Sequence, residues 1–145
     1  MRKITLSNIA LLVAAGLILS ACASKGASAI LAGTSWKLVS YGPVENQIPA
    51  ALGVETRVYF GIDGQVSGSV GCNQFSGNYE EIGGKITFSM LVSTMMACPE
   101  LQMTQESTAF QVMSGTVDFE LEGNTLTIFD ASGETSIMLS AVDNK

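Results

Sequence analysis

The chain contains no histidine. That excludes Ser-His-Asp and Cys-His nucleophile arrangements and removes the side chain most often used as a general base near neutral pH. With no closely spaced cysteine pair either, the usual zinc sets cannot be assembled, so neither a metal site nor a cofactor is expected. Cationic residues are scarce: seven Lys and Arg stand against 13 Asp and Glu, a net charge of −6. A surface of that sign repels phosphate backbones, which argues against nucleic acid as a partner. Neither a glycine-rich phosphate loop nor a nucleophile elbow is present. Carboxylates are what is left for catalysis. Glu80 and Glu81 are adjacent, so on a strand they point to opposite faces and read as solvated edge charges. Asp118, Glu120 and Glu122 share one strand face and read as a row that keeps that face wet and unaggregated. No catalytic residue is assigned, and the chain is read as not an enzyme.

Long apolar runs are also lacking. The longest, Ile9 to Leu19, is too short to span a bilayer as a helix but has the length of a signal-peptide core, and Arg2 and Lys3 supply the basic start before it. It leads into Leu19-Ser20-Ala21-Cys22, which resembles the bacterial lipobox, where cleavage precedes a cysteine that carries the lipid. Residues 1–21 are therefore expected to be a removed signal peptide and Cys22 the lipidation site. An ordinary secretory signal is the alternative. Loss of Arg2 and Lys3 leaves five bases against 13 acids, a charge near −8, so membrane attachment must come from the lipid, and several acyl chains hold a protein stably where one does not. Residues 22–33 are small and polar and read as a lipidated flexible tether. Ala23, not Asp, follows Cys22. By resemblance to enterobacterial lipoprotein sorting, this implies the outer membrane, facing the periplasm, if the host is Gram-negative.

The remainder is short enough for one domain and long enough for a core. Period-two patterning and turn signals predict strands at Thr34–Tyr41, Thr56–Phe60, Gln65–Val70, Tyr79–Ile82, Lys85–Met90, Val117–Leu121, Leu126–Ile128 and Ser136–Leu139. One segment breaks the pattern. Pro99 to Met113 lacks Gly and suits a helix, with Pro99 at its start, Glu100 favourable to the helix dipole, and Leu101, Ala109, Val112 and Met113 as an approximate apolar stripe; Gly115 is placed to end it. The fold class is thus α+β, mostly antiparallel β, arranged as a sheet or barrel and interrupted by one α-helix.

With Cys22 assigned to lipid, Cys72 and Cys98 remain. An even number in an oxidising compartment suggests a disulfide; two buried free thiols packed as small hydrophobes are the alternative. Around these cysteines the sequence resembles a known family. Gly71-Cys72-Asn73 followed by Phe75, Gly77 and Tyr79 is similar to the signature of META domains, which include the heat-shock protein HslJ family. The resemblance continues through Trp36-Lys37-Leu38, Thr94-Met95-Met96-Ala97-Cys98, Glu106 and Phe110, and Leu126-Thr127-Ile128, and covers residues 34–141. Where many members carry a basic residue after the threonine, this chain has Met95. The resemblance implies a compact β-barrel-like domain with an inserted helix, no catalytic activity, and association with the envelope and with stress or antibiotic tolerance.

Two residue groups carry functional expectations. Asn73, Tyr79 and Glu106 read as structural, with Asn73 capping a turn beside Cys72 and Glu106 accepting hydrogen bonds from that turn; ligand binding is the alternative. Met90, Met95, Met96, Met103 and Met113 cluster around the helix and read as core filling or as an adaptable groove. The chain is expected to act by binding, as a protein-interaction or assembly module for an unidentified envelope partner. A periplasmic barrel that binds a lipid or small amphiphile is the alternative.

Overall fold

A computed structural model describes residues 30–142. The expected signal peptide, Cys22 and most of the tether lie outside the described residues.

Nine strands and one helix follow one another: β1 (Thr34–Pro43), β2 (Ile48–Pro49), β3 (Arg57–Phe60), β4 (Gln65–Ser69), β5 (Gln74–Ile82), β6 (Lys85–Ser93), α1 (Glu100–Val112), β7 (Gly115–Glu122), β8 (Thr125–Phe129) and β9 (Thr135–Ala141). Every pairing is antiparallel, each strand from β3 to β9 pairs with the next, and β1 pairs with both β3 and β9. The sheet therefore closes into an eight-stranded barrel, with the two-residue β2 appended to β1. Closure leaves no free sheet edge around most of the molecule.

A barrel of this size is filled by inward side chains. Trp36 and Leu38 of β1, Val58 and Phe60 of β3, Val66 of β4, Phe75 and Tyr79 of β5, Ile86 and Phe88 of β6, and Val117, Leu126, Ile128, Ile137 and Leu139 from the last three strands are buried together. The alternation seen in the sequence is the reason: successive side chains go to opposite faces, and the outward ones are mostly polar. A register shift between Leu38 and Ser40 adds a bulge at Val39, after which Tyr41 turns inward.

Strand direction gives the barrel two distinct ends. Residues 30–33, the turns at Gly64 and at Gly83-Gly84, and the C-terminal end of β9 lie at one end. The connections at 44–56, 70–73 and 94–114, including α1, lie at the other. Residues 30 and 142, the first and last described, thus lie at the end opposite the helix.

Several details differ from the sequence reading. β5 starts at Gln74 and not at Tyr79, and β6 runs on to Ser93. Packing begins before Thr34: Leu31 is fully buried, and Glu81 accepts the backbone N–H groups of Ile30 and Leu31 at 3.0 Å each. Glu81 is thus a clamp on the domain start and not a solvated edge charge. On the helix, Leu101 is 71% exposed, while Gln105, Glu106, Ala109 and Val112 form the buried face.

Candidate functional site

A helix whose buried face carries two polar residues needs partners for them, because an unsatisfied buried polar group costs more than a made hydrogen bond returns. Both residues reach the β4–β5 connection. Gln105 Nε2 donates to the Val70 carbonyl at 2.7 Å, and its Oε1 accepts from the Ala51 N–H at 2.7 Å. Glu106 Oε2 accepts the backbone N–H of Cys72 at 2.8 Å and that of Asn73, and its Oε1 accepts Asn73 Nδ2 at 2.7 Å. Asn73 Oδ1 in turn accepts from the Thr94 hydroxyl at 2.9 Å and the Met96 N–H at 2.7 Å. Among the described residues no buried side-chain nitrogen or oxygen is left without a partner.

This network joins four pieces of chain: the turn after β4, the loop after β6, α1, and, through Ala51, the connection between β2 and β3. Cys72 and Cys98 add a disulfide between the first two, with Cα atoms 5.9 Å apart. Gly71 lets the helix come this close, since a Cβ there would lie 2.5 Å from the Gln102 carbonyl oxygen and 2.8 Å from the Glu106 Cβ. Phe75 of β5 and Phe110 of α1 meet edge to face, with ring centroids 5.6 Å apart.

Beside this seam the barrel wall opens. β7 follows β6 only over Lys85–Phe88, ending at the Phe88–Gly115 pair. On the β7 side of Ser89–Ser93 the chain leading to Gly115 is α1 instead of a strand. The gap is a groove in two parts that share Ser93 and Phe110 in their linings. One, of about 330 Å³, is lined by Ser89–Ser93 with Phe75, Phe88, Phe110 and Met113 beneath. The other, of about 370 Å³, is lined by Thr94–Ala97, Met103, Glu106 and Phe110. Of the five clustered methionines only Met113 is core; Met90 is 78%, Met95 98% and Met96 53% exposed, and Met103 is partly so. Core filling is therefore corrected for these four, and together they rim the groove.

A family profile for the META domain matches residues 29–143. The chain belongs to the META domain family. No curated protein matches it. A protein from Burkholderia xenovorans solved by NMR shares the META-domain chain's fold at a TM-score of 0.65 with 18% identity, over 79% of this chain and 85% of that one. A DUF4847-family protein from Bacteroides vulgatus, solved by crystallography, is similar at a TM-score of 0.57 with 13% identity, over 80% of this chain and 97% of that one.

On this META domain the signature residues divide into two groups. Gly71, Asn73, Phe75, Thr94, Glu106 and Phe110 gather at the seam between helix and sheet, with Cys72 and Cys98 between them, while Gly77 lies against Ser89 and Leu91 of β6. Trp36 and Tyr79 do not join them. The Trp36 indole N–H donates to Thr34 Oγ1 at 2.7 Å inside the barrel. The Tyr79 hydroxyl donates to the Gly61 carbonyl at 2.9 Å, toward the opposite end, and its ring packs edge to face on Phe60. Burial, then the negative charges of Glu81 and Asp63, hold the Tyr79 phenol above its ordinary 10.0. Sequence reasoning missed Gln105. The signal was its position, four residues before Ala109 on the stripe that does pack.

Proposed function

We propose that this META-domain chain is a non-catalytic, lipid-anchored envelope protein that recognises a protein partner through the groove between β6 and α1. One observation carries the reading: the methionine-rimmed groove lies at the barrel end opposite the point where residue 30 enters the domain. A lipid on Cys22 would tether the other end to the membrane, which leaves the groove presented away from the bilayer. Thioether side chains are suited to such a role because they are apolar and repack around varied shapes. For a Gram-negative host, Ala23 after Cys22 supports outer-membrane sorting, facing the periplasm, as part of the same proposal. A part in stress or antibiotic tolerance is consistent with family membership and is proposed on that ground alone.

The test is crosslinking in intact cells, gentle detergent extraction of the lipidated chain, and mass spectrometry of both proteins and lipids. A discrete stoichiometric protein partner is the expected result. Recovery of one defined lipid, with no protein, would replace this reading with that of a lipid-binding domain.

A further inference from the structure

The groove has one wall made of backbone. Ser89–Ser93 of β6 pair with β5 on one side, and no described segment pairs with them on the other. The Thr94 N–H donates to the Gln74 carbonyl at 3.0 Å across the β5–β6 ladder. Hydrogen-bonded and non-bonded pairs alternate along an antiparallel ladder. With Gln74–Thr94 bonded, Phe75–Ser93 is a non-bonded pair, and the N–H and C=O of Ser93 face away from β5, into the groove.

The same stretch is bulged. The register slips between Ser76 and Asn78, so that Met90 and Leu91 together oppose Gly77. Met90 has φ +55, a conformation that costs a non-glycine side chain free energy. Gly77 admits the bulge, because a Cβ there would lie 2.6 Å from Leu91 Cδ2 and 3.0 Å from Leu91 Cα. A local strain maintained by a tailored glycine, on a strand segment with no described partner on its β7 side, marks this edge as a candidate for function.

Building on the interaction reading above, we infer that Ser89–Ser93 form an open strand edge that takes an extended segment of a partner protein by strand addition, with alternate apolar side chains of that segment on the Phe75–Phe110–Met113 floor and basic residues at its flanks. Main-chain bonds supply affinity in this mode and the floor supplies side-chain selection. The basic flanks follow from charge. Glu45, Glu55, Glu100, Asp130 and Glu134 lie on the helix-bearing end, where Arg57 is the one described cation.

The test uses the full lipidated chain in lipid nanodiscs and a fluorescent probe peptide that alternates Val or Ile with Thr between paired lysines. Saturable binding is expected, weakened at least ~10-fold when the probe's alternate backbone nitrogens are methylated, because N-methylation removes donors without removing the side chains. Ser89→Lys with Ser93→Lys, both at exposed positions, adds edge-blocking charge and should weaken binding similarly while leaving the circular dichroism unchanged. Replacing the probe's lysines by glutamates should also weaken it. Equal binding of the N-methylated probe, or no binding up to about 1 mM, would overturn strand addition.

In cells, a photo-crosslinking residue at Ser93 is compared with one at Glu120 on β7. Protein adducts at Ser93 that the probe competes away support the inference. Adducts at Glu120 alone overturn it and leave the interaction reading standing, whereas no protein adduct at either site counts against both.

Discussion

Glu106 accepts three N–H groups from two consecutive residues while buried under α1. Replacing it by alanine leaves those donors facing an apolar space, which should cost about 2–4 kcal/mol, measurable as a lowered urea midpoint at unchanged slope. Glu106→Gln keeps one acceptor oxygen and should cost less. Tyr79 makes a different residue-scale prediction. The folded state holds its phenolic proton more tightly than the unfolded chain does, because burial raises its pKa and Glu81 and Asp63 add to that. Its stabilising contribution is complete below pH 10 and is lost as pH rises through the folded value. Tyr79→Phe should therefore flatten the alkaline limb of the stability profile, read from thermal melts at stepped pH. Glu106 was legible in the sequence because it belongs to the set of residues that resembles the META-domain pattern. Glu81 was not: a carboxylate on an alternating strand gives no sign that a distant backbone segment will bond to it.

At the scale of elements, α1 is held by chemistry that its own sequence does little to advertise. A 13-residue helix is marginal in isolation. Here its inward face is half polar and is fixed by Gln105, Glu106 and the disulfide that ties the flanking loop to the β4–β5 turn. Replacing Cys72 and Cys98 together by serine reopens a loop with a sequence separation of 26, and should cost about 3 kcal/mol by chain entropy. Hydrogen exchange should show that loss first across Glu100–Val112 and the 94–99 loop, with β8 and β9 following only at global unfolding. The helix and most strands were readable from periodicity. The extensions of β5 and β6 were not, because Gln74–Asn78 and Leu91–Ser93 frame a bulge, and a bulge breaks the alternation on which the reading depends.

For the whole molecule, closure of β1 on β9 makes residues distant in sequence into neighbours, and the interior they enclose is filled. Leu31 belongs to that interior although it lies outside every strand. Leu31→Ala should destabilise the domain by about 2–4 kcal/mol, checked by the shift in thermal midpoint. A change within about 0.5 kcal/mol would instead mark residues 30–33 as part of the tether. Closure also explains why the groove is so localised. It lies where β6 runs past the end of its pairing with β7, because the β6–β7 connection detours through α1.

The sequence by itself determined the class of molecule: strands by alternation, one helix by its break from alternation, an acidic surface, and no histidine chemistry. These are local or compositional properties, and each is written in residues near one another. Only the tertiary structure decided which methionines are core and which are rim, that Glu81 and Gln105 secure distant backbone, and that one stretch of β6 is left unpaired. Each of those depends on which segments closure brings together, and a side chain's neighbours across a barrel are set by register and twist, not by its place in the chain.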